Sequence, residues 1–233
     1  MAVHVLIPAA GLGRRMGAAG NKQYLELGGR PVLAHTLDRL AALDIIDALH
    51  IIVPEDERAY CRNEVVERFA LRKIGSIVAG GAERQDSVRN GLESCGAADD
   101  DLVLIHDGVR PFFPADQLAP LLAAAAETGA ALLAIPAQDT VKEVSAGRVV
   151  RTLERSRLWQ VQTPQAFRCG LIRDAHRRAR DAGFIGTDDA SLVEWRGGAV
   201  AVLPGSPFNF KLTTPADLAL ARALLAAGVL EGC

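Results

Sequence analysis

The chain has 233 residues, 49% hydrophobic and 23% charged, enough to bury a full core, and one compact unit over residues 1–233 is expected. Its 26 basic residues against 28 acidic ones give a formal charge of -2 with no block of one sign, which excludes the extended basic footprint of a nucleic-acid binder and leaves small molecules as expected partners. The cysteines, Cys61, Cys95, Cys169 and Cys233, show neither metal spacing nor a disulfide framework. No segment reads as a signal peptide or membrane span, so the expected setting is cytoplasmic.

In chain order, short apolar runs alternate with helix-period segments. Strands are predicted near 3–7, 49–53, 74–78, 102–106 and 130–135, with helices near 31–43, 55–70, 84–94 and 114–128 between them. Such alternation predicts a mostly parallel sheet with helices on both faces. The rhythm breaks after Ile135, where Asp139 to Val144, a Ser145-Ala146-Gly147 turn and Arg148 to Leu153 alternate like a hairpin. Residues 137–160 are therefore predicted to project as an arm. A two-stranded ribbon is marginal alone, so the same arm of a second subunit is its simplest partner and a homodimer is expected. The tail predicts helices at 168–182 and 188–195, a strand at 199–203, an extended Asn209-Phe210-Lys211 and a helix from Pro215.

Ligands bind outside the carboxyl ends of the strands in an open α/β sheet, so loops 8–24, 79–87 and 107–111 are expected to share one crevice. The first reads Pro8-Ala9-Ala10-Gly11-Leu12-Gly13-Arg14-Arg15-Met16. It fails the dinucleotide fingerprint because Met16 stands where a third glycine is needed, and no Gly-Lys-Ser/Thr follows for a P-loop. A strand, a flexible turn and cations remain. The glycines let backbone N–H groups approach phosphate, and Arg15 and Lys22 are placed to add charge-assisted contacts; the plainer alternative is a turn with solvated basic residues.

Gly80-Gly81-Ala82-Glu83-Arg84-Gln85-Asp86-Ser87 opens the next helix, offering N–H groups and the Ser87 hydroxyl to a base or ribose, or else capping the helix through Asp86 or Ser87. In Ile105-His106-Asp107-Gly108-Val109-Arg110-Pro111, Asp107 suits a magnesium ion directly or through water, or simply pairs with Arg110. His106, a single histidine without a partner, reads as packed or hydrogen-bonded rather than catalytic. Thr140, Arg155, Thr187 beside Asp188 and Asp189, and Lys211 together suit a phosphorylated polyol. Singly, Arg155 also fits a solvated charged face and Thr187 a helix cap.

These motifs, with Lys22-Gln23-Tyr24, Asp139-Thr140-Val141-Lys142, Thr163-Pro164-Gln165 and Thr187-Asp188-Asp189-Ala190-Ser191, resemble nearly end to end the 2-C-methyl-D-erythritol 4-phosphate cytidylyltransferase family of the non-mevalonate isoprenoid pathway. The resemblance implies a three-layer Rossmann-like nucleotidyltransferase fold, CTP and magnesium, a homodimer through the arm, and the product 4-diphosphocytidyl-2-C-methyl-D-erythritol with pyrophosphate. It gives Arg15 and Lys22 to transition-state stabilisation, and Arg155 and Lys211 to positioning the acceptor phosphate. Thr140 and Thr187 go to holding the acceptor; Ala10, Gly11, Leu12, Gly13, Gly81 and Ser87 go to CTP. Asp107 stands where both substrates and the metal meet. The chain departs from the family in having Asn21 where a proline commonly precedes the loop lysine, and Gly108-Val109 where the family has Ala-Ala. The rivals are a cytidylyltransferase for another polyol phosphate, such as ribitol 5-phosphate, and a non-catalytic nucleotide-binding protein.

Overall fold

A computed structural model describes residues 1–11 and 22–229, with Lys22 described by its backbone alone. Leu12, Gly13 and Arg15 of the expected phosphate loop, and Cys233, lie outside the described residues.

The first strand, β1 (Val3–Pro8), leads to a two-residue ladder of β2 (Glu26–Leu27) and β3 (Arg30–Pro31), then α1 (Val32–Ala41) and β4 (Ala48–Val53). A helical segment follows, from a 3-10 turn at Glu55–Glu57 through α2 (Arg58–Tyr60) into a wider π turn at Cys61–Glu67, and leads to β5 (Ile74–Ala79). Next come α3 (Arg84–Ser94), β6 (Leu102–Ile105), α4 (Leu118–Thr128) and β7 (Ala130–Pro136). The hairpin is β8 (Lys142–Ser145) and β9 (Arg148–Thr152); then β10 (Trp159–Arg168), α5 (Cys169–Asp181), α6 (Asp189–Trp195), β11 (Ala201–Pro204) and α7 (Pro215–Ala226) complete the order.

Seven strands form the main sheet in the order β11-β7-β10-β6-β1-β4-β5. All neighbours pair in parallel except β10, which runs antiparallel to both β6 and β7. The sheet is buried on both faces, so its parallel strands are largely apolar: every residue of Leu102–Ile105 is buried. Successive side chains alternate between two cores. Val5 and Ile7 join α1 and α4 through Leu33, Leu37, Leu40, Leu118 and Leu121. Leu6 faces the other way, to α3, α5 and α6 through Val88, Leu92, Ile172, Ala175 and Leu192. A third cluster, with Leu27, Val32, Val109, Phe112, Leu212 and Ala221, seats α7 against the β2–β3 ladder and the loop after β6.

The alternation of strand and helix read from the sequence matches this layered sheet, with one element added. Residues 161–167 carry no strand in that reading, and 159–160 fall inside the predicted arm, yet Trp159–Arg168 is a ten-residue strand with Trp159 opposite Pro136 and Gln160 opposite Ile135. Proline in a central strand removes a ladder donor and argues against strand. Here the pairing shifts between Gln162 and Gln165, so Thr163 and Pro164 occupy an irregularity.

Two helix starts follow from local chemistry. Thr214 and Asp217 exchange bonds, Asp217 N to Thr214 Oγ1 at 3.2 Å and Thr214 N to Asp217 Oδ2 at 2.8 Å, with Pro215 in the first turn of α7. Asp188 caps α6, accepting from Ser191 N at 2.9 Å. The cap is thus Asp188, and Thr187 stands outside it. The hairpin turns on Ala146 and Gly147, both at positive φ (48° and 74°), as a two-residue connection with the primed geometry requires.

Candidate active site

The sheet order places its switch point beside β1: the chain runs outward through β4 to β5, then returns to β6 on the other side of β1. The carboxyl ends of β1 and β6 flank that crevice. A cleft of about 430 Å3 opens there, lined among others by Ala10, Gly11, Gly81, Ser87, Asp107 and Lys211. A second cavity of about 430 Å3 adjoins it, lined by Arg110, Thr163, Gln165, Thr187, Asp188 and Ser191 among others. Arg84, Asp107 and Lys211 line both, so the two lobes meet at one acid and two cations.

Close approach of the loops requires glycine at one position. A side chain at Gly80 would place its Cβ 2.6 Å from Ala10 Cβ and 3.0 Å from Ser87 Oγ. The loop beside it is tied internally: Gly81 N donates to Ser87 Oγ at 3.0 Å, and Ser87 Oγ donates to Glu83 O at 3.1 Å. Ser87 is buried, and its hydroxyl is engaged within the loop while the residue lines the first cleft. Asp86 completes the start of α3 by accepting from Glu83 N at 3.3 Å.

Asp107 is 6% exposed and faces three cations: Lys211 Nζ at 2.9 Å, and Arg84 Nε and Arg110 Nε each at 3.4 Å. Burial opposes its charge, but Arg84, Lys211 and Arg110 together hold the carboxyl far below the usual carboxylate range. The pairing with Arg110 is present, and two further cations join it.

Backbone bonds fix the cluster. Leu212 N donates to Val109 O at 3.0 Å, and Arg110 Nη1 donates to Asn209 O at 2.6 Å, so the segment carrying Lys211 is clamped to the loop carrying Asp107. Asn209 Nδ2 donates to Thr163 O at 2.8 Å, joining the irregular part of β10 to the same clamp. At the departure from the family pattern, a Cβ on Gly108 would come 2.9 Å from Leu33 Cδ1, so in this chain α1 fills the space an alanine would take.

His106 is fully buried and structural in its bonding. Thr163 Oγ1 accepts from Asp107 N at 3.1 Å, which leaves its hydroxyl proton for His106 Nδ1 at 3.2 Å; His106 Nε2 then donates to Arg110 O at 3.0 Å. Burial lowers its pKa to about 4 and keeps it neutral.

Of the residues singled out in the sequence, Ala10, Gly11, Gly81, Ser87, Asp107, Thr187 and Lys211 thus converge on the two lobes. Thr140 and Arg155 do not. Both are exposed, at the base of the hairpin, where Arg155 donates to Gln138 O, and neither lines either lobe. Sequence reasoning gave Arg84 no role and noted Asp189 only beside Thr187; their side chains pair at 2.7 Å. Arg84 is the first residue of α3, directly behind the glycine loop, and that position was the available signal; nothing local marks Asp189 as its partner.

Comparison with known proteins follows the same line. The family model of 2-C-methyl-D-erythritol 4-phosphate cytidylyltransferase matches residues 3–227. A relative of that name from Syntrophotalea carbinolica is 57% identical over 225 residues, covering 97% of each chain. Among solved structures, 4-diphosphocytidyl-2C-methyl-D-erythritol synthase from Anaerococcus prevotii superposes with a TM-score of 0.83 at 31% identity, covering 97% of this chain and 96% of that one. The 2-C-methyl-D-erythritol 4-phosphate cytidylyltransferase from Thermus thermophilus gives 0.78 at 36% identity, covering 97% and 100%. A match of this length and identity, on a sheet whose switch-point loops carry the family's motifs, makes the chain a member of the 2-C-methyl-D-erythritol 4-phosphate cytidylyltransferase family.

Proposed function

We propose that the chain transfers CMP from CTP to 2-C-methyl-D-erythritol 4-phosphate, with the nucleotide in the first lobe and the acceptor in the second. The observation that carries this reading is the junction of the lobes at Asp107, Arg84 and Lys211. An acceptor phosphate oxygen attacks the α-phosphorus of CTP roughly in line, forming the new P–O bond of 4-diphosphocytidyl-2-C-methyl-D-erythritol as the bond to pyrophosphate breaks. A phosphate monoester is ionised near neutral pH, so the reaction needs no general base. What it needs is two polyanions held together and charge offset as it develops.

The cluster suits that task. Arg84, Arg110 and Lys211 outnumber by one the carboxylates Asp107 and Asp189 that they pair with, so cations stand at the junction before substrate arrives. Cations fixed in advance cost no reorganisation when the charge shifts. Arg15 and Lys22 act on the CTP side in this reading, and Arg155, Thr140 and Thr187 on the acceptor side. Ala10, Gly11, Leu12, Gly13, Gly81 and Ser87 form the nucleotide loops.

A magnesium ion on the triphosphate would be the metal of this reaction. Among the described residues no group of three or more metal-ligating side chains stands together, and Asp107 is a single buried carboxylate already among cations. That donor set would suit an ion for which Asp107 is the one protein carboxylate, directly or through water. Such an ion supplies charge neutralisation on the triphosphate.

The chain in this proposal is one nucleotidyltransferase domain over residues 1–233 that works as a homodimer through the 137–160 arm. Val144, Val149, Val150, Trp159 and Val161 on and beside the arm expose their apolar side chains, a patch that favours a partner. Thr140 and Arg155 lie outside their own chain's lobes, and an arm reaching the cleft of the other subunit brings them to the acceptor. Among the described residues no helix is long and apolar enough to cross a membrane, and the proposed setting is the cytoplasm.

The test is pyrophosphate release from CTP and magnesium with either 2-C-methyl-D-erythritol 4-phosphate or ribitol 5-phosphate. Release with the former supports the assignment; release with the latter alone transfers it to the rival acceptor. No release with either refutes a cytidylyltransferase of either kind.

A further inference from the structure

Behind the junction lie two buried side chains, Asp189 and His176, that line neither lobe. Arg84 Nη1 donates to Asp189 Oδ2 at 2.7 Å, a closer contact than its 3.4 Å approach to Asp107. Asp189 is 1% exposed, and its other oxygen lies 3.3 Å from His176 Nε2, itself 1% exposed. Burial opposes the charge on Asp189, yet Arg84 and His176 beside it hold the carboxyl below its usual range.

The position of Asp189 is built in. Gln165 on β10 donates to Asp188 Oδ2 at 2.7 Å and accepts from Ala190 N at 3.1 Å, pinning the first turn of α6 on both sides of Asp189. A buried carboxylate is costly to fold unless paired, and a helix whose other inward residues are Ala190, Leu192 and Val193 had apolar alternatives for its core.

We propose that Asp189, backed by His176, is a positioning residue for the transfer reaction: it stretches Arg84 between two carboxylates and so holds the guanidinium at the junction of the two lobes. The inference rests on the cytidylyl transfer proposed above. Without a charge on its far side, the guanidinium would settle on Asp107 as a bidentate pair, the geometry that Arg and carboxylate favour. Asp189 prevents this, and Arg84, 31% exposed, keeps donors facing the phosphates of both substrates.

The experiment measures kcat, KM for each substrate, CTP affinity by calorimetry and thermal unfolding for the parent, Asp189→Asn, Arg84→Gln, Arg84→Lys and the Asp189→Asn/Arg84→Gln double variant. Asp189→Asn is expected to lower kcat by about tenfold or more with CTP affinity nearly unchanged, and to add nothing further in the Arg84→Gln background. Arg84→Lys is expected to fall as far as Arg84→Gln, because an ammonium is a point charge that does not span both carboxylates. A folded Asp189→Asn enzyme with parental kcat, an additive loss in the double variant, or full activity in Arg84→Lys each overturns the inference. The Arg84→Lys arm decides the matter if Asp189→Asn does not fold. A parent that releases no pyrophosphate refutes the function itself; a parent that transfers CMP while these variants behave normally refutes the positioning role alone.

Discussion

Replacing Lys211 by alanine removes the ammonium that stands 2.9 Å from Asp107 Oδ2 at the meeting of the lobes. Two unit charges about 4 Å apart interact by about 4 kcal/mol at an effective dielectric of about 20, the scale on which Lys211 would act on a phosphate oxygen in the proposed reaction. Much of that acts equally on bound substrate and transition state and leaves kcat untouched. The differential part for one preorganised donor is about 2.7–4 kcal/mol, so kcat is expected to fall about 100- to 1,000-fold. Stability changes far less. Lys211 is 33% exposed, a partly solvated pair contributes at most about 1 kcal/mol, and Asp107 keeps Arg84 and Arg110 at 3.4 Å. Pyrophosphate release at saturating CTP and acceptor measures the first effect, and thermal unfolding the second. A folded Lys211→Ala enzyme turning over within about threefold of the parent would falsify the charge-offset account.

Lys22→Ala is expected to lose about 100-fold or more in turnover with the fold intact, checked by the same pair of measurements. Arg155→Ala should raise the acceptor KM or lower kcat while CTP affinity holds, since its proposed partner is the acceptor phosphate; unchanged acceptor kinetics contradict that role. Val149→Asp places a charge opposite Val144 on the exposed arm and is expected to give monomers in sedimentation; an unchanged mass removes the arm from the interface. Stability should fall as pH drops from 6.5 toward 4. His106 is neutral when folded down to about pH 4, whereas the unfolded chain takes its proton near 6.5, so protons favour the unfolded state across that window. The loss from this residue is on the order of 3 kcal/mol, is absent above the window, and should shrink in His106→Gln; a flat urea-unfolding free energy between pH 4 and 6.5 rules it out.

Much of the architecture was legible because parallel strands buried on both faces are read as unbroken apolar runs. Val5 to Ile7 and Leu102 to Ile105 announce themselves this way, and the segments between them carry helical periodicity. The antiparallel β10 was not legible, because Thr163-Pro164 interrupts it and the irregularity that tolerates a proline depends on the neighbouring strands. Within the site, Asp107 and Lys211 stood out as polar residues at strand ends or amid apolar neighbours. Arg84 stayed hidden, since an arginine in the first turn of a helix has many uses, and Asp189 reads as half of an acidic pair next to a cap.

By itself the sequence determined the family, through an ordered set of motifs spread over the chain, and the order of strand and helix, through apolar runs for the strands and a 3.6-residue period for the helices. It also determined the local signals: glycine where loops approach, Thr214 and Asp217 where a helix begins, Ala146-Gly147 where the hairpin turns. Only the tertiary structure decided that Asp107 meets three cations, that Ser87 spends its hydroxyl on its own loop, that Thr140 and Arg155 stand apart from their own cleft, and that Asp189 holds Arg84. The physical reason is distance along the chain. Capping and periodicity act between residues a few positions apart, whereas Arg84 and Asp189 are brought together by the packing of α3 and α6 on one face of the sheet, which no local pattern encodes.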